Sequence, residues 1–307
     1  MASLELIHYQ PRRAETNDGS LQWKDLKRKP IKNLPQIVWE DNSTWAEANL
    51  WALDQATSSK RDLKTVRSNM AHLLAYAKWL EAESMTWWHF PERESERCLI
   101  RFRGALVAAR NNGELAPSTA SQRMAAVIRF YKWMLSRRLI SPEWPMWEER
   151  SVGITLTNSF GLEHTMRVAS TDLSIPNRKV AGAIQLEDGL LPVSVSAMKE
   201  ILALSDRIAT EELSLMLRIG FFTGLRIGSI TDLKVQTLHN ATIVPEVGWK
   251  LLGVGPGARP PVSTKFSVSG SVPIPEELLE TLLSYSISTR RLKRQALASP
   301  EDQGLLF

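Results

Sequence analysis

Along the first half of the chain, apolar residues recur at three- and four-residue spacing. Leu63, Val66, Met70, Leu73, Ala77 and Leu80 fall on one stripe, which predicts an amphipathic helix. Ala120, Met124, Val127, Tyr131 and Met134 form another, in a helix starting near Pro117-Ser118. Two further helices are predicted. One follows Ser43 or Thr44 as N-cap in "STWAEANLWALDQAT"; the other runs through "ERESERCLIRFRGALVAARNNG" and stops at Asn111-Asn112-Gly113. The four make a compact helical unit over 44–140. Before it, residues 1–43 are polar and punctuated by prolines, with a basic knot at Lys24–Pro30. That pattern fits an extended basic arm with room for one short strand or turn, and equally a solvated tail. "SPEWPMWEER" ends the helical order, and 141–188 reads as a linker holding a strand or two. A second domain is expected over 189–307. Its helices are "PVSVSAMKEILALSD", "TEELSLMLRIGFFTG" and "RIGSITDLK", its β-like segments "ATIV", "WKLLGV", "PVSTKFSV" and "SVPIP", and its last helix "PEELLETLLSYSIS". The expected class is mainly α with a small β component.

Composition narrows the chemistry. A chain of 307 residues with 43% hydrophobic and 23% charged residues can bury two cores. The lone Cys98 excludes an internal disulfide and a cysteine metal cluster, and suits a reducing compartment. The histidines, at 8, 72, 89, 164 and 239, lack metal-ligand spacing, and His72 reads as a packed or surface residue. The N-terminus lacks the basic-then-apolar order of a signal peptide, and no apolar run nears the roughly 20 residues that span a bilayer. A cytoplasmic, soluble protein with no metal and no cofactor is the expectation. "GVGPGARPP" is glycine-rich, but its prolines lack the N–H groups of a phosphate cradle, so it reads as a turn. No hydrolase, kinase or dehydrogenase motif is present.

The net charge of +5 permits a polyanionic partner without requiring one. Its placement says more. From Pro117 to Leu139 the chain carries Arg123, Arg129, Lys132, Arg137 and Arg138 and not one acid. On a helical wheel Arg129 and Lys132 point away from the apolar stripe, while Arg123 and Arg137 flank it. An acid-free helix has no internal ion pairs, so these charges are available either to phosphates or to solvent. Lys60, Arg61, Lys64 and Arg67 on the second helix could form an opposite wall, although Asp62 dilutes it.

In "LMLRIGFFTGLRIGSITDL", Arg226 lies inside an apolar run, and a buried guanidinium requires an anion or many acceptors. An ion pair with Asp232 or a cage of carbonyls would satisfy it. "TGLRIGSITDL" also resembles the first-arginine box of the tyrosine recombinase (phage integrase) family. "STKFSVSGSVPIP", with Lys265 seven residues before Val272, is similar to that family's hairpin-lysine pattern. "LAPSTASQRMAAVIRFYKWMLSRRLI" looks like the end of its helical core-binding domain. The resemblance covers about Thr44 to Phe307. It implies a core-binding (SAM-like) domain followed by a partial mixed α/β catalytic domain, clamped on double-stranded DNA. A tyrosine would attack the phosphodiester to give a 3′-phosphotyrosyl link without metal. Arg226 would stabilise the phosphoryl charge and Lys265 would protonate the leaving 5′-hydroxyl; the alternative for Lys265 is an exposed hairpin lysine. Lys64, Arg67, Arg123, Arg129, Lys132 and Arg137 would hold the DNA backbone. The complete protein would act as a tetramer on two DNA sites.

Two departures stand out. Ser229 occupies the position where the family usually has an acid. The His-x-x-Arg box and the nucleophilic tyrosine have no counterpart before Phe307, and Tyr9, Tyr76, Tyr131 and Tyr285 do not match the nucleophile's place. The expectation is therefore a chain truncated within the catalytic domain, ending in a strand at "GLLF", able to bind DNA and unable to cleave it alone. Two other readings stay open: a non-catalytic DNA-binding relative that regulates recombination, and a helical interaction protein whose arginine box is structural.

Overall fold

The computed structural model describes residues 1–17, 20–27, 29–58, 61–157, 163–177, 192–243 and 248–307. Arg28 of the basic knot, Lys60, and residues 158–162 and 178–188 of the expected linker lie outside them. The chain forms two compact units, Met1–Ala181 and Gly182–Phe307, each with its own apolar core. Among the described residues, no helix is long and apolar enough to cross a membrane.

The first unit is built on four helices: α1 (Ala46–Thr57), α2 (Leu63–Ala82), α3 (Cys98–Asn111) and α4 (Pro117–Ser136). Two of their starts follow local chemistry, whereas α1 begins after Trp45 rather than after Ser43 or Thr44 and has no side-chain cap. The Asp62 carboxylate accepts the Lys64 amide at 2.8 Å and caps α2, and Pro117 sits in the first turn of α4. Both predicted stripes are buried along α2 and α4, apart from the partly buried Leu63, and the two helices pack on each other. The core they close is strongly aromatic. Trp45 is 1% exposed and touches the rings of Trp39, Tyr76, Trp87 and Phe130, with the edge of Phe130 at a centroid distance of 5.4 Å.

Residues 1–43 depart from the expected arm. Before α1 come β1 (Ser3–Tyr9), β2 (Arg12–Asn17), β3 (Ser20–Asp25) and β4 (Ile31–Val38). They form two antiparallel pairs, β1–β4 running from Ser3↔Val38 to Tyr9↔Ile31, and β2–β3. Ala2, Leu34 and Ile37 are buried. The Asn49 amide clasps Ile37 from both sides, accepting its N–H at 2.7 Å and donating to its carbonyl at 3.1 Å. Asn33, at φ 60°, and Pro35 break the two-residue alternation that marks a strand, which hid β4 in the sequence. Later in the unit, β5 (Glu149–Thr157) and β6 (Glu163–Thr171) form the hairpin for which the linker left room.

The second unit runs α5 (Val195–Ile208), α6 (Glu211–Thr223), α7 (Ile227–Ile230), α8 (Val235–His239), β7 (Thr242–Ile243), β8 (Trp249–Val254), β9 (Gly270–Pro275), α9 (Glu276–Ser286) and α10 (Thr289–Leu297). The three strands form an antiparallel sheet in the order β7-β8-β9. Leu215, Ile219, Ile230, Leu252, Ile274 and Leu282 are at the centre of the core. Three expectations are corrected. "PVSTKFSV" is no strand: it holds an isolated bridge, Gly255↔Val262, and a short 3-10 turn, Lys265–Ser267. Neither α8 nor α10 is among the expected helices. The segment at "GLLF" bridges back to the Lys234 segment, Leu306 donating to the Leu233 carbonyl at 2.8 Å, so it closes this core.

Candidate nucleic-acid interface and phosphoryl site

In the second unit the arginine box is a helix stop followed by a restart. The Thr223 hydroxyl donates to the Ile219 carbonyl at 2.6 Å and accepts the Leu225 amide at 3.2 Å, closing α6. Gly224 then turns left-handed, φ 68°, where a side chain would be strained. Leu225 faces the core, and Arg226 becomes the exposed N-cap residue of α7. This corrects the burial premise: the break turns Arg226 outward, so no desolvation cost demands an anion. Ser229, in the acid's place, is buried.

Lys265 is also exposed, at the start of the 3-10 turn between β8 and β9. Asp232 ties its loop to the arginine box. One carboxylate oxygen accepts the Ser263 amide at 2.6 Å and the other accepts Lys234 Nζ at 2.7 Å. Lys234 also donates to the Pro261 carbonyl at 2.7 Å, and the Asn240 amide donates to the Arg259 carbonyl at 2.6 Å. Burial pushes the Asp232 carboxyl up, but the bonds from Lys234 and Ser263 outweigh it and hold it below its ordinary value. One carboxylate therefore joins the box six residues after Arg226 to the loop two residues before Lys265.

Gly255 sets the path of that loop. At φ 97° it exchanges both backbone bonds with Val262, and a Cβ there would overlap the Val268 carbonyl and the Ser269 backbone. Gly255→Ala is expected to cost more than the left-handed backbone alone, about 1–2 kcal/mol, because the overlap with the Val268 carbonyl and the Ser269 backbone adds to it, and to loosen the Lys265 loop. Faster proteolysis between 259 and 268, with the rest of the unit intact, is the result to look for.

The six predicted phosphate contacts all belong to the first unit, and the structure divides them. Arg129 donates to Asn69 Oδ1 at 2.9 Å; Asn69 donates to Gln55 Oε1 at 3.0 Å, which also accepts Arg61 at 2.7 Å. Two guanidiniums thus share a network made of amides. Burial, then the Arg61 charge, lowers the Arg129 pKa. His72, half-buried between α2 and α4, is shifted down by burial and then by Arg123 and Arg129, so it is neutral near pH 7. Lys64 is exposed, and Arg67 donates to the Asn33 carbonyl at 3.2 Å. The inference that an acid-free helix leaves its charges unpaired fails at two positions. Arg137 pairs with Asp54 of α1 at 2.7 Å, and Lys132 lies 4.0 Å from Glu149. Acids on neighbouring elements supply what the helix itself lacks.

No protein-family model matches the sequence, and no curated protein does. Solved structures show a loose likeness. Two are of the XerH site-specific recombinase bound to difH substrate, in post-cleavage and pre-cleavage complexes, at 15% and 14% identity and a TM-score of 0.43 each. The likeness covers 85% of this chain, which spans 61% of theirs. A third, XerA recombinase, has 13% identity and a TM-score of 0.24. Likeness of this extent assigns no activity.

Three of the four tyrosines are placed for packing. Tyr76 and Tyr131 share a buried hydroxyl–hydroxyl bond at 2.9 Å, and burial holds both pKa values well above the ordinary phenol range. Tyr285 Oη donates to Glu212 at 3.1 Å; burial, then that carboxylate, pushes its pKa up to about 12. None of the three is primed as a nucleophile. Nothing in the apolar pattern of the sequence marks Glu212. It is 5% exposed at the start of α6, and its two oxygens accept Arg290 of α10 at 2.7 and 2.9 Å. "TRRLKRQAL" has no apolar stripe, and only its density of arginines hinted at a buried acid.

Proposed function

We propose that this chain is the DNA-holding part of a tyrosine recombinase, with Arg226 and Lys265 belonging to the site that receives the scissile phosphate. The observation that carries the reading is the Asp232 clasp, which couples the arginine box to the lysine loop. In a DNA strand exchange, the Arg226 guanidinium would hold the non-bridging phosphoryl oxygens as negative charge gathers on them. Lys265 would give its proton to the departing 5′-hydroxyl. The attacking tyrosine is not supplied by Tyr76, Tyr131 or Tyr285, whose hydroxyls are engaged in the two cores. That placement favours a second reading for the chain as it stands, DNA binding without cleavage, as in a regulator of recombination. The complete enzyme would assemble as a tetramer on two DNA sites.

On the first unit, Arg129 and Arg61 meet at amides and keep an outward positive field beside Arg123. That field suits phosphate contacts that position a duplex without reading its sequence. The test is a salt titration of duplex binding by the full chain. Arg123→Glu combined with Arg129→Glu is expected to weaken binding at least about tenfold and to flatten the log–log salt slope by about two. Denaturing gels should show no covalent DNA adduct. Unchanged binding by the double variant would sink the proposed face and favour an interaction protein instead.

A further inference from the structure

At the tip of the Lys265 loop sits a residue that local physics disfavours twice. Phe266 is 85% exposed, and its backbone is left-handed, at φ 63° and ψ 17°. A bulky aromatic residue rarely adopts that conformation, and it gains nothing from leaving its ring in water. Ser267 follows at φ 54°, and Val268 is 62% exposed. The turn is nevertheless firmly bonded. The Thr264 hydroxyl donates to the Val268 carbonyl at 2.6 Å, the Ser267 amide to the Thr264 carbonyl at 3.2 Å, and the Gly257 amide to Ser269 Oγ at 2.9 Å. With the Asp232 clasp, these bonds fix a tight turn that presents one aromatic ring outward. Strain kept in place by its surroundings points to a use for the strained residue.

Charge indicates what the ring meets. From residue 248 to 275 the chain carries Lys250, Arg259 and Lys265 and no acid. Lys250 is paired with Glu276 at 3.0 Å, whereas Lys265 stands at the tip with its Nζ 5.2 Å from the centre of the Phe266 ring. A cation beside an exposed ring, on an acid-free loop rich in hydroxyls, complements a polyanion with flat apolar faces. Apolar side chains of this kind wedge between base steps in a duplex groove, while adjacent cations take the phosphates.

We infer that Phe266 is a base-step wedge: its ring enters duplex DNA at one step while Lys265 holds the neighbouring phosphate. This rests on the DNA reading above and adds a contact to bases. Partial unstacking costs least at flexible pyrimidine–purine steps, so occupancy should favour TA and CA steps.

The experiment uses the full chain and mixed-sequence duplexes carrying 2-aminopurine beside a TA step, whose fluorescence rises when the base unstacks. Binding of the unaltered chain is expected to brighten the probe. Phe266→Ala should abolish the brightening and weaken binding about tenfold at an unchanged salt slope. Phe266→Trp should keep both. Lys265→Ala should lower the slope by about one and retain the brightening at saturation. Phe266→Gly serves as the folding control: it accepts the left-handed backbone, so its melting temperature should match or exceed that of the unaltered chain while the brightening is lost. Tight binding by the unaltered chain without brightening, or brightening that survives Phe266→Ala, overturns the wedge alone. No duplex binding by the unaltered chain overturns the functional reading and the wedge with it.

Discussion

Trp45→Ala is expected to destabilise the first unit by about 3–5 kcal/mol, the range for a large aromatic side chain removed from a packed core. Trp45 has almost no contact with solvent and is bounded by rings from α2, α4, the segment before α1 and the connection between α2 and α3. Those rings belong to rigid elements that cannot converge on the space an indole leaves, so a cavity should persist. For a unit of this size the loss corresponds to a melting temperature lower by about 10 °C. Trp45→Phe should cost much less, because it keeps part of the ring contact and removes an indole N–H that is buried without a hydrogen-bond partner. Thermal denaturation of the three proteins decides the matter. Equal losses for Ala and Phe would show that the ring contacts contribute little.

The second large effect concerns Glu212 and depends on pH. Hydrogen bonds from Arg290 hold its carboxyl down at about 2, from an ordinary 4.5, against burial that acts the other way; Tyr285 assists. A depressed folded-state value means the stabilisation is fully present above about pH 4.5. It is lost as pH falls toward 2, because the unfolded chain takes up the proton first. The linked stability is on the order of 2–3 kcal/mol. Arg290 is half-exposed and can rehydrate once the carboxylate is gone, which argues for the lower end. Glu212→Gln should therefore destabilise the second unit by roughly 2 kcal/mol at pH 7 and flatten its stability between pH 5 and 2. A variant with the same acid sensitivity as the unaltered chain would show that other carboxylates carry it. Hydrogen exchange in α9 and α10 is the appropriate readout, since Glu212 joins these helices to α6.

What the sequence disclosed depended on how each element is held. α2 and α4 were legible because apolar burial orders them, and apolar burial leaves a period. β4 was not, because one left-handed asparagine and one proline shift its side chains off the alternation. α10 was invisible for a different reason: it is anchored by polar groups. Arg291 is buried and donates to the carbonyls of Gln303 and Leu305 at 3.1 and 2.9 Å, while Arg290 reaches Glu212. A hydrophobicity pattern cannot register that kind of attachment. At the candidate site, the Thr-Gly turn before Arg226 followed from residue type alone. The Asp232 clasp did not, since it joins positions 31 residues apart through a loop whose course is set by Gly255. Apolar neighbours in sequence do not bury Arg226, because the backbone turns at Gly224 and the side chain leaves their company.

The aromatic core of the first unit has a spectroscopic consequence. Of the eleven tryptophans, Trp249 alone lies beyond residue 181. Intrinsic fluorescence therefore reports almost wholly on the first unit, whose closely packed rings should also give strong near-ultraviolet dichroism. Melting of the second unit would pass nearly unseen by the same signal. A single smooth emission transition for this chain would then describe half of the molecule, and agreement with far-ultraviolet dichroism would be needed before both halves were said to unfold together.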